Sequence, residues 1–146
     1  MTRRTALWSL GIAATVLGLV LLGIDQRLWD EGGPGIVGFE LAGTERRARE
    51  ILVEWGPDGR SAARLSLWLD YAYLAAYGAF LALASLATRD HARRQGWRRF
   101  AAAGTAMAGL AVAAALFDAV EDAFLLLALG RHGGAAAPAV PRPPRR

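Results

Sequence analysis

No cysteine occurs among the 146 residues, which excludes disulfides, thiol chemistry and cysteine metal sites. Lysine is absent as well: all seventeen basic residues are arginine. With alanine and glycine so abundant, that bias reads as codon composition before it reads as chemistry. There is no cofactor motif and no nucleophile constellation, so no cofactor is expected. The last scarcity is charge in three long stretches. Residues 6–24 carry none, 65–87 only Asp70, and 100–129 only Asp118, Glu121 and Asp122.

What fills those stretches is apolar. The chain is 54% hydrophobic with a mean hydropathy of +0.25, and the apolar residues come in blocks. Each block is long enough to cross a hydrocarbon core of about 30 Å, which takes roughly 20 helical residues. Backbone polar groups in lipid must be satisfied within the segment, so the blocks read as helices rather than strands. The fold class expected is all-α, a membrane helical bundle with spans at about 6–24, 65–87 and 100–129. The first block has the charged start of a signal peptide at Arg3 and Arg4. It runs on to Ile24 without a small-residue cleavage site, so a retained helix is expected.

Arginine placement sets the expected orientation. Arg3 and Arg4 precede the first span, and Arg89, Arg93, Arg94, Arg98 and Arg99 face a single acid, Asp90, in the second connection. The first connection, 25–64, holds six arginines against eight acids. By the positive-inside rule the first two segments are cytoplasmic and the 25–64 connection faces outward, leaving the C-terminus outside. The localisation expected is therefore multi-pass in the bacterial inner membrane. The net charge of +4 is accounted for by this topology and implies no nucleic-acid partner.

Within the outward connection, Thr44 reads as an N-cap. Leu41, Ala48, Ile51, Leu52 and Trp55 form an apolar stripe, and Gly56-Pro57 stops the helix. An amphipathic helix over about 44–55 is expected on the membrane surface or capping the bundle. Residues 133–146 are rich in Ala, Pro and Arg without periodicity, and are expected to be a disordered tail following a single 1–132 domain. Gly11, Gly18 and Gly23 in the first block, and the small residues of Ala101–Ala115 with Gly104 and Gly109 in the third, are expected to let helices approach closely.

The acids carry the chemistry. Asp118, Glu121 and Asp122 stand at i, i+3 and i+4 and share a helix face. At 1.5 Å per residue, Asp122 lies about 10 Å and Asp118 about 16 Å from Leu129; Asp70 lies about 7 Å past Leu65. The topology thus places all four in one outer layer. Tyr73 and Tyr77 follow Asp70 at i+3 and i+7 and can donate to a carboxylate. The candidate site is Asp70, Tyr73, Tyr77, Asp118, Glu121 and Asp122, suited to a cation, a proton or an amine. Ionisable residues at membrane depth are expensive and read as functional by default. The competing reading is structural pairing with Arg64, Arg131 or the 44–55 arginines. A further possibility is a break near Asp118, since an unbroken helix over 98–129 would be about 48 Å long. A metal site is the weakest reading, because only His132 can join the acids.

The runs Phe39-Glu40-Leu41-Ala42, Ser66-Leu67-Trp68-Leu69-Asp70-Tyr71 and Leu116-Phe117-Asp118-Ala119-Val120-Glu121-Asp122 carry a resemblance. Over about 7–132 the chain resembles a group of small uncharacterised bacterial four-helix integral membrane proteins. The resemblance implies Asn where this chain has Asp122. It also implies a fourth helix, lost or frame-shifted here, and no function. Three functions are therefore carried forward. The first is a non-enzymatic accessory or assembly component binding a cation or lipid headgroup at the acid layer. The second is a small transporter-like or proton-handling protein. The third is a lipid-modifying enzyme using the acids as acid/base groups. The partners expected are the lipid bilayer and a membrane protein or a second copy of the chain.

Overall fold

The structure, a computed structural model, describes residues 2–133. Four helices follow one another: α1 (Arg3–Asp30), α2 (Ile36–Glu40), α3 (Glu45–Arg94) and α4 (Arg98–Gly133), with no strand among the described residues. The tail expected over 133–146 lies, beyond Gly133, outside the described residues.

Local chemistry sets the boundaries. Thr2 caps α1 by accepting from the Thr5 amide, and Thr44 caps α3 by accepting from the Arg47 amide at 3.2 Å. The short α2 is capped from a distance: the Asp25 carboxylate of α1 accepts from the Ile36 amide at 2.6 Å. Gly56 ends the first limb of α3 with φ 63°, a conformation suited to glycine. Pro57 then starts the second limb, where its missing N–H costs nothing. The helix thus resumes at once after Gly56-Pro57, which the sequence marks as its stop. The Arg60 guanidinium donates to the Leu52 carbonyl that the kink releases, at 2.9 Å. The helix α4 runs unbroken through Asp118, which removes the expected break.

Helices α1, α3 and α4 each contain an apolar stretch long enough to cross a membrane. Only 6%, 17% and 22% of the residues in those stretches are buried within the protein. Trp8, Leu19, Leu110, Phe117 and Phe124 all stand exposed on the bundle exterior. An apolar surface this extensive fits a lipid environment and not water.

The central helix is α3, which packs against α1 on one side and α4 on the other. On α4 the inward stripe reads Ala101, Gly104, Ala108, Ala111, Ala115, Asp118, Asp122, Leu125 and Leu129, none of them exposed. Its steps alternate between three and four residues, as in a coiled-coil seam. Small residues at one end bring the backbones close. A side chain at Gly104 would meet Arg89 at 2.9 Å, and one at Gly78 would meet Ala115 at 2.9 Å. Gly11 lies against the Phe80 ring and Gly18 against Tyr73, whereas Gly23 and Gly109 face nothing within 4 Å. Small residues therefore make the contact at Gly11, Gly18 and Gly104 and along Ala101, Ala108, Ala111 and Ala115, and not at Gly23 or Gly109.

At the arginine-rich end, Arg3 of α1 pairs with Asp90 of α3 at 2.6 Å, and Arg89 reaches the same carboxylate at 2.7 Å. The Arg3 hydrogen bond, followed by that of Arg89, holds the Asp90 carboxyl below the usual carboxylate range. A depressed folded-state value means that the pair stabilises above the ordinary aspartate range. That contribution is lost as pH falls through the lower folded value. Arg3→Ala is therefore expected to lower stability near pH 7–8 and to change it little at pH values below the folded Asp90 value, which flattens the acid side of the stability–pH curve read from thermal unfolding in detergent.

At the opposite end a compact core forms a cap. Leu28, Phe39, Ile51, Leu52, Trp55, Ala63, Leu67 and Leu129 are all buried there. Trp55 is fully buried, its indole N–H donates to the Pro34 carbonyl at 2.6 Å, and its ring lies 5.3 Å from that of Phe39. The cap sits directly over the acids.

An acid-lined chamber beneath the cap

The stripe on α4 turns Asp118 and Asp122 toward α3, one helical turn before its terminal leucines. Asp70 sits on α3, one turn past Ser66 and Leu67. The two helices thereby bring Asp70 and Asp122 together, and their carboxyl groups meet at hydrogen-bond range. Asp122 is only 6% exposed, and its Oδ2 has no hydrogen-bond partner among the described residues. Buried polar atoms are almost always partnered, so one that is not requires an explanation.

The tyrosines divide their roles. The Tyr77 hydroxyl donates to Asp118 Oδ2 at 3.2 Å. Tyr73 stacks on Tyr77 with ring centroids 5.1 Å apart. Tyr71, adjacent to the acid, instead donates to the Ala119 carbonyl at 3.1 Å and fastens α3 to α4.

Two cavities flank the Asp70–Asp122 contact. The smaller, about 290 Å³, is bounded by Asp118, Glu121, Tyr77 and Leu74. The larger, about 370 Å³, extends over Gly18, Leu21, Leu22 and Leu67 toward α1. Glu40, Asp70, Tyr73 and Asp122 line both. All six residues singled out from the sequence thus border one chamber system.

Two further acids belong to it. Asp25 lines the larger cavity, with its Oδ1 committed to the α2 amide and its carboxylate pressed against Gly35. Glu40 hangs from the end of α2. Glu40 is exposed overall, yet partial burial of its carboxyl, followed by the charges of Glu121 and Asp70, pushes that carboxyl above the usual range. The available signals for these two were weak: Asp25 as the first charge after the first apolar run, and Glu40 inside the Phe39-Glu40-Leu41-Ala42 run.

Six carboxylates therefore face one space whose lining, among the described residues, includes no arginine, lysine or histidine. The arginines expected to neutralise them are engaged elsewhere or turned away. Arg46 pairs with Glu50, Arg47 with Glu50 and Glu54, and Arg49 with Glu45, along their own helix. Neither Arg64 nor Arg131 forms an ion pair with these acids among the described residues. The acids are also spread along the chamber: among the described residues, no three His, Cys, Asp or Glu side chains converge as a metal site would require. Such a wall can accept hydrogen bonds and offset positive charge, and two carboxyls in contact can share a proton. No family of known proteins, no curated protein and no solved structure matches this chain.

Proposed function

We propose that this protein is a multi-pass component of the bacterial inner membrane whose acid-lined chamber binds a cation, and that it serves as an accessory or assembly component rather than an enzyme. In this reading the cap faces outward and the arginine-rich end lies in the cytoplasm, following the arginine asymmetry. The observation that carries the reading is Asp122: a carboxylate 6% exposed, with one oxygen unpartnered among the described residues, in a chamber whose described lining adds five other acids and no base. Buried charges are retained where they are paired or where they bind something. The ion pair that would make the cluster purely structural is missing among the described residues, which favours a ligand as the counter-charge.

A second reading has its own support. The direct contact of Asp70 with Asp122 suits a group that exchanges a proton, and a proton-handling role would use the same residues. Thermal unfolding of the purified protein in a maltoside detergent separates the two. Sodium, calcium and methylammonium are titrated at constant ionic strength, at several pH values. A saturable rise in the midpoint with one of these cations, lost in Asp122→Asn, is the expected result. A midpoint that follows pH alone selects proton handling, and one that follows neither cation nor pH removes both readings.

A further inference from the structure

Cation binding leaves the kind of cation open, and the shape of the chamber narrows it. The wall is not uniformly polar. Asp70 and Asp122 stand at the junction of the two cavities. On the α1 side, Gly18, Leu21, Leu22 and Leu67 continue the larger cavity as an apolar floor. On the α4 side the rings of Tyr73 and Tyr77, tilted 31° to one another with centroids 5.1 Å apart, flank the acids. A bare inorganic ion would use neither the floor nor the rings.

Size argues the same way. Cavities of about 370 and 290 Å³ together match the volume of a small organic ligand, where pockets run roughly 300–1,000 Å³. The spacing of the acids, with no three converging, suits a diffuse or hydrogen-bonding cation better than a compact ion. Aromatic faces beside carboxylates attract organic ammonium groups through the ring quadrupole. The unpartnered Asp122 Oδ2 is an acceptor awaiting a donor, which an ammonium N–H supplies. Gly18 borders the floor where α1 faces Tyr73 of α3. Leu22 at its edge is 61% exposed on the apolar exterior, so the floor continues into the surface that faces lipid.

From this geometry we infer that the chamber takes an organic ammonium ion with an apolar body. The ammonium sits against Asp70 and Asp122, and the apolar part lies along Leu21, Leu22 and Leu67. The inference rests on the cation reading above and makes it specific. An amine that carried its own phosphate close by would bring a second anion against six carboxylates, so a simple alkylammonium fits better than a zwitterionic headgroup.

The test uses the full-length protein in maltoside micelles and an n-alkylamine series from methylamine to hexylamine, with hexan-1-ol as the uncharged partner of equal chain length. Binding is followed by the thermal midpoint and by calorimetry. Each methylene laid on the floor is worth about fourfold in affinity (~0.8 kcal/mol), so hexylamine is expected to bind at least tenfold more tightly than methylamine. Hexanol is expected to give no saturable binding. Leu21→Ala is expected to shorten the apolar floor and lower the hexylamine-to-methylamine affinity ratio, and Asp122→Asn to remove binding of both amines. Phosphatidylethanolamine in mixed micelles is expected not to compete with hexylamine; competition by it would overturn the preference for a simple alkylammonium. Equal affinity for methylamine, sodium and hexylamine overturns the inference while leaving the cation reading in place. Failure of every cation overturns both.

Discussion

Asp122→Asn is expected to raise the thermal midpoint of the ligand-free protein by about 4 °C or more, and to abolish its response to cations. The sign is the informative part. In the wild-type chain the Asp122 carboxyl is buried, meets Asp70, and leaves Oδ2 without a partner among the described residues. An amide of the same shape removes the charge, and its N–H₂ can donate to the Asp70 carboxylate. An unsatisfied buried group costs about 1–3 kcal/mol, more when charged. For a domain of this size 1 kcal/mol moves the midpoint by roughly 4 °C. Were Asp122 instead one half of a buried ion pair, losing it would cost about 3–5 kcal/mol and lower the midpoint steeply. Asp118→Asn provides the control. Tyr77 already donates to Asp118 and can donate equally to an amide oxygen, so that variant is expected to move the midpoint by less than about 2 °C. A fall in the Asp122→Asn midpoint would return the cluster to a structural role. A gain in stability together with lost binding is the usual mark of a residue kept for function.

Much of this architecture is legible from the residues because the constraint is physical and local. Three apolar runs of sufficient length, one uncharged and two broken only by acids, read as buried or lipid-facing helices, and helices long and apolar enough to span a membrane are observed. The i, i+3, i+4 spacing puts Asp118 and Asp122 on one face, and the structure adds that this face is the seam against α3. Counting residues inward from the same end puts Asp70 in one layer with Asp118, Glu121 and Asp122; the direct contact of Asp70 with Asp122 is what the structure adds. The partners of the arginines were not legible. Arg46, Arg47 and Arg49 find acids three to seven residues away on their own helix, and pairs so close in sequence form at less entropic cost than pairs between elements. Glu40 was missed for the opposite reason. Its place in the chamber depends on α2, a five-residue helix held by Asp25 from another element, and no periodicity announces a helix that short.

The cap that delivers Glu40 is held by one side chain, and Trp55→Ala is expected to be the most damaging single substitution in the protein. Trp55 has no exposed surface, packs at 5.3 Å against Phe39, and donates to the Pro34 carbonyl at 2.6 Å. Its fit is set by two glycines. A side chain at Gly33 would strike the indole, and one at Gly59 would meet the Trp55 Cβ at 2.7 Å. Truncating a buried tryptophan costs about 3–5 kcal/mol through lost transfer energy and the cavity left behind. Stranding the Pro34 carbonyl adds to that. A midpoint lowered by 10 °C or more is expected. Trp55→Phe keeps most of the packing and loses only the indole donor, at about 1–2 kcal/mol. The damage should also be local before it is global. Pro34 and Phe39 flank and form α2, so loosening them frees Glu40 from the chamber mouth while the α3–α4 seam of Gly78 and Gly104 stays intact. Hydrogen exchange is therefore expected to rise first in 33–42 and to change little in 101–115. Cation affinity should fall in parallel with the exchange at 33–42. Equal loss of protection across both segments would show that the cap and the bundle unfold as one unit, and that the chamber has no separate lid.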